Sequence, residues 1–212
     1  MKIHASHCLA IFAIAVLGIR ESSAQTVDRW SLGIRGGVNV WLNNYQTKKI
    51  SGGGEILVKY GFSPYFSAGV MAGFDALQAE NPPRNYGLSF NYLEMNVFPV
   101  AAIGIIHPVP GKRFTTYLYA GGGTLIFQRT IQGGTPYPDK KFHFTYLAVA
   151  GVGLEYFTRS PISVIADLGV WWIDKNLDDV PTTSIRVCPT LKFGLNYYFA
   201  RLTASSGSPS AR

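Results

Sequence analysis

Alternation of apolar and polar residues, repeated through eight segments, constrains this chain more than any other feature. A β-strand sends successive side chains to opposite faces, and a strand that crosses a membrane as part of a barrel needs one of those faces apolar. In the first segment Trp30, Leu32, Ile34, Val38, Val40 and Leu42 fall on one face, interrupted only by Gly36, while Ser31, Gly33, Arg35, Gly37 and Asn39 fall on the other. A core helix would repeat near 3.6 residues and would lose about 1 kcal/mol at each of Gly33, Gly36 and Gly37.

The pattern recurs along the chain. Ile56, Val58 and Tyr60 oppose Glu55, Leu57 and Lys59, and after a tight turn Phe66, Ala68, Val70, Ala72 and Phe74 oppose Ser67, Gly69, Met71, Gly73 and Asp75. The fourth segment, 88–106, sets Leu93, Met95 and Val97 against Tyr92, Glu94 and Asn96, but Phe90 and Tyr92 break its phase, which predicts a bulge or a shift of facing there. In the fifth, Tyr117, Tyr119, Leu125 and Phe127 form the apolar face against Thr116, Ala120, Gly122 and Thr124. The sixth runs from Phe142 to Tyr156, the seventh from Ile162 to Trp172, and the eighth sets Val187, Leu191, Phe193, Leu195, Tyr197 and Phe199 against Arg186, Thr190, Lys192, Gly194 and Asn196. Connections alternate between short (61–64, 107–113, 158–161) and long (43–53, 76–87, 128–141, 174–183). Short periplasmic turns and long outer loops belong to one architecture, an all-β, eight-stranded antiparallel up-and-down transmembrane β-barrel, here over residues 25–199.

The ends set the compartment. Residues 1–24 combine Lys2, an apolar run from Cys8 to Ile19 and small residues at Ser22 and Ala24, the pattern of a secretory signal peptide cleaved near Ala24. That run is shorter than the roughly 20 residues a membrane helix needs. Gln25 rather than Cys follows the cut, which argues against a lipid anchor. The mature chain has seventeen Lys plus Arg against eleven Asp plus Glu, about +6. For an exported chain this excess points to lipopolysaccharide phosphates and other surface anions, with no nucleic acid as partner. Cys188 is the mature chain's one cysteine, so neither an internal disulfide nor a cysteine metal site is expected, and no cofactor motif is found. A polar tail, 200–212, closes the chain.

Four runs carry a family resemblance: Tyr-Leu-Glu at 92–94, Tyr-Ala-Gly-Gly-Gly at 119–123, Gly-Val-Gly-Leu-Glu-Tyr at 151–156 and Gly-Leu-Asn-Tyr-Tyr-Phe at 194–199. In this order, over residues 29–199, the chain resembles the small outer-membrane barrels typified by OmpA, OmpX and the opacity proteins. The resemblance implies residence in the bacterial outer membrane and contact with its lipid. It also implies recognition of the last strand, through Tyr197 and Phe199, by the barrel-assembly machinery.

Arg35, Glu55, Lys59, Asp75, Glu94, Glu155, Asp167 and Lys192 lie on polar faces of their strands. An eight-stranded barrel has an interior that side chains just fill, so these charges are expected to form a structural network inside it. Trp30, Trp41, Tyr60, Tyr65, Trp171, Trp172 and Tyr198 lie near segment ends, where interfacial girdles belong. His107, assigned to a turn, and His143 are the mature histidines, and no motif pairs either with a nucleophile. The sequence therefore favours a non-enzymatic barrel serving envelope structure or surface contact through its outer loops. Two alternatives are a lipid-modifying hydrolase and a soluble, exported carrier of lipocalin type, whose apolar face would point inward.

Overall fold

The computed structural model describes residues 26–42, 47–48, 50–80, 92–110, 113–132, 138–158, 160–174 and 186–199. Residues 1–25, where the sequence predicts a leader, residues 200–212 and most of the long connections lie outside the described residues. Eight strands follow the chain: β1 (Trp30–Val40), β2 (Ile50–Gly61), β3 (Phe66–Glu80), β4 (Tyr92–Val109), β5 (Phe114–Gln132), β6 (Pro138–Phe157), β7 (Ile162–Ile173) and β8 (Arg186–Tyr198). A two-residue piece, Thr47–Lys48, precedes β2 and pairs with Glu80 and Ala79.

Each strand is antiparallel to its sequence neighbours, and β1 pairs with β8, so the sheet closes with no free edge. Closure matters because hydrocarbon offers no partner to an open backbone edge. Short turns are locally determined. Ser63 Oγ accepts from the N–H of Phe66 at 3.0 Å, and Thr158 Oγ1 donates to the carbonyl of Ile162 at 2.6 Å. At the seam the N–H of Phe199 donates to the carbonyl of Trp30 at 2.9 Å.

Strand lengths are uneven. β1, β2, β7 and β8 have 11 to 13 residues, close to the roughly 9–11 needed to span a bilayer, whereas β4, β5 and β6 have 18, 19 and 20. The excess lies at the long-loop end, where Tyr92 stands opposite Glu80 and Gln132. Pairing thus consumes residues that the sequence pattern assigned to loops, including Ile50 to Gly53, Ala76 to Glu80 and Gln128 to Gln132.

Outward faces are apolar. Ile34, Ile56, Val70, Phe144, Leu168 and Phe193 are all exposed. Inside lie Arg35, Glu55, Lys59, Asp75, Glu155, Asp167 and Lys192, each no more than 5% exposed. This polarity is that of a membrane barrel and the reverse of a lipocalin-type carrier.

Two strands differ from their expected facing. Met95 and Val97 on β4, and Tyr117, Leu125 and Phe127 on β5, point into the lumen, and Leu118, Ala120 and Gly122 point outward. A one-residue error of phase exchanges the two faces of a strand, and here neither face is strongly polar, so alternation alone does not orient them. The register is unshifted from Tyr92 to Ile106 against both neighbours, with pairing to β3 interrupted at Phe98 and Pro99, and the shift against β5 falls between Ile106 and Val109, not beside Tyr92; Phe90 lies outside the described residues. The upper lumen is consequently an apolar core of Trp41, Leu77, Met95, Leu125, Phe127 and Ile173.

Candidate functional site

The charged side chains of the lower and middle lumen form two groups. In the upper one, Arg35 lies between the carboxylates of Glu55, its register partner on β2, and Asp167 on β7, the latter at 2.7 Å. Lys192 Nζ reaches Glu55 Oε2 at 2.5 Å and Asp75 Oδ2 at 3.7 Å, over the Trp171 ring at 4.6 Å. Asn39 Nδ2 donates to Asp75 at 2.7 Å, and the Tyr117 hydroxyl donates to Asp167. Asp167 and Lys192 are opposite each other in register, yet each pairs with another strand. This interleaving ties β1, β2, β3, β5, β7 and β8 together.

In the lower group Lys59 meets Glu155 at 3.0 Å. Glu155 also accepts from Ser163 (2.5 Å), Asn196 (2.7 Å) and Tyr198 (2.7 Å), so a fully buried carboxylate is saturated with donors. β2 and β6 are four strands apart in a ring of eight, so the Lys59–Glu155 pair spans the lumen. The chain from Arg35 on β1 through Asp167 to Tyr117 on β5 spans it at a second level.

Inward glycines make room for these crossings. A Cβ on Gly53 would lie 1.9 Å from Asp75 Oδ1, and one on Gly153 would lie 2.3 Å from both Asp167 Oδ1 and the Tyr117 ring. These glycines of the inward faces are thus the surfaces over which the buried polar side chains lie.

Seven of the eight charges singled out in the sequence come together here. Glu94 does not. It is half-buried on the outward-facing parity of β4, because the inward positions at that level are Met95 and Val97. Three of the aromatics expected in girdles, Trp41, Trp171 and Tyr198, are instead buried in the lumen. Trp171 and Trp172 are adjacent on one strand and cannot share a face, and Trp172 takes the outer one. Alternation did not single out Asn39, Ser163, Asn196 and Tyr198 as partners, although all four have the inward parity of a charge on their own strand, and it placed Tyr117 on the opposite face.

His107 belongs to β4, not to a turn. It is 1% exposed, with Nε2 at 3.4 Å from the equally buried Ser67 Oγ. That separation exceeds the 2.6–3.2 Å of a working nucleophile and base. Among the described residues no group of three His, Cys, Asp or Glu side chains is arranged to hold a metal.

No protein-family model matches the chain, and no curated protein matches it in sequence. Solved structures do match in fold. Ail, the attachment invasion locus protein of Yersinia pestis, is 14% identical with a TM-score of 0.50, covering 81% of this chain and 98% of its own. Neisserial surface protein A is 12% identical (TM-score 0.49; 80% and 97% covered), and OprG of Pseudomonas aeruginosa is 13% identical (TM-score 0.48; 82% and 98% covered). At 14% identity the likeness to Ail is one of fold alone.

Proposed function

We propose that this chain is an integral outer-membrane protein of a double-membraned bacterium, exported on a leader cleaved near Ala24. Its role is non-enzymatic: it serves envelope integrity, or contact with a host, partner or surface ligand, through its long loops. One observation carries this reading. The closed barrel is apolar outside and charged inside, and two levels of side-chain pairing cross its lumen, so the interior is a brace and the loops are left to make contacts. The fold is shared with Ail, whose name records attachment; attachment through the long-loop end is the corresponding proposal here. Lipid and lipopolysaccharide would contact the wall and the basic surface, and the barrel-assembly machinery would read Tyr197 and Phe199.

Among the described residues the hydrolase reading has Ser67 with His107 as a structural candidate. Both are enclosed in the lumen, out of reach of an acyl chain on the outer wall, which favours a packing role. His107→Ala is expected to leave lipid A composition unchanged by mass spectrometry.

Fractionation tests the main reading. The protein should require detergent for extraction and sediment with outer membrane, and an epitope inserted at 176–183 should be accessible on intact cells. Full recovery from the soluble fraction would end the membrane assignment.

A further inference from the structure

At the short-turn end the lumen opens into a cavity of about 520 Å³. It is lined by the buried residues Phe157 and Tyr198, whose rings are 5.5 Å apart, and by Arg29 and Arg113. The other polar groups around it are already engaged. Tyr198 donates to Glu155, and Thr158 Oγ1 is held by the carbonyl of Ile162 and, at 2.7 Å, by Ser160 Oγ. Glu155 is neutralised by Lys59, and Asp28 is exposed and faces the Tyr60 hydroxyl at 3.4 Å. No carboxylate among the described residues pairs with either arginine, and the Arg29 Nε is buried without a hydrogen-bond partner among them.

Arg29, half-buried, and Arg113, exposed, both line this cavity, with no acid among its described lining residues, and a guanidinium is a planar array of donors. That donor set matches an oxyanion with several acceptor oxygens better than it matches a neutral ligand. We infer that the short-turn mouth of the barrel is a phosphate-binding site, with Arg29 and Arg113 as its two clamps. The ligand is a phosphate monoester or diester, supplied either as a soluble molecule or as a lipid headgroup. The proposed orientation enters only in naming the periplasm as the compartment that supplies it; binding itself does not depend on that orientation.

The test titrates inorganic phosphate into the full chain, folded in zwitterionic micelles, by calorimetry and phosphorus NMR at constant ionic strength with chloride as the control anion. Saturable binding is expected, weakened about tenfold or more by Arg29→Gln or Arg113→Gln and lost in the double variant. Both residues precede their strands, and retained heat-modifiable migration on gels will show that the variants are folded. A repeat in nanodiscs separates the sources. If phosphatidylglycerol competes with inorganic phosphate and phosphatidylcholine does not, the ligand is a headgroup; if neither competes, it is soluble, and either result supports the site. Absence of saturable binding, or wild-type binding by the double variant, would overturn it.

Discussion

Lys59 on β2 and Glu155 on β6 meet at 3.0 Å across the full width of the barrel, on strands that share no backbone hydrogen bond. A buried pair of this kind recovers the cost of desolvation only while both partners are present.

Lys59→Met should therefore destabilise the barrel by about 3–5 kcal/mol, because it leaves the Glu155 carboxylate without a counter-charge. Lys59→Met with Glu155→Gln should regain most of that loss. Urea unfolding in micelles, followed by tryptophan fluorescence, measures both; equal losses in the single and double variants would mean the pair is not coupled.

Position 94 separates a lumen charge from a wall charge. Glu155→Gln removes a carboxylate that anchors one cation and three donors and should cost more than about 1.5 kcal/mol. Glu94→Gln, outside the network, should change stability by about 0.5 kcal/mol or less. The same unfolding assay compares them.

Gly153 lies beneath the Tyr117 ring, and a Cβ there would stand 2.3 Å from it. Gly153→Val should cost about 1–3 kcal/mol through overpacking. Tyr117→Ala in the same chain should reduce that penalty, whereas Gly122→Ala, whose Cβ would meet nothing nearer than 3.4 Å, is a tolerated control.

Val70 is 54% exposed on the outer wall, the fifth of the fifteen residues of β3. Val70→Arg should cost about 2–4 kcal/mol if Val70 meets the bilayer midplane, and less toward the interface, measured by reversible folding into lipid vesicles. In a water-facing wall the substitution would be nearly neutral, so an unchanged folding free energy would remove Val70 from the membrane.

What the sequence determined alone was the period. Ile, Val, Leu and Phe at every second position, with glycines that a helix would not carry, set the β class, the eight strands and the outward faces of β1, β2, β3, β6, β7 and β8, where one face is clearly more polar. Tertiary structure decided what periodicity leaves open. β4 and β5 have weak contrast between their faces, and only closure against β3 and β6 put Met95, Leu125 and Phe127 inside and Glu94 outside. Ion-pair partners were equally undetermined, because Lys59 and Glu155 are 96 residues apart and Asp167 passes over its register neighbour Lys192 to reach Arg35. Parity along a strand is a local property of the backbone; which charges meet across a lumen depends on the curvature of the closed sheet, and no single segment encodes it.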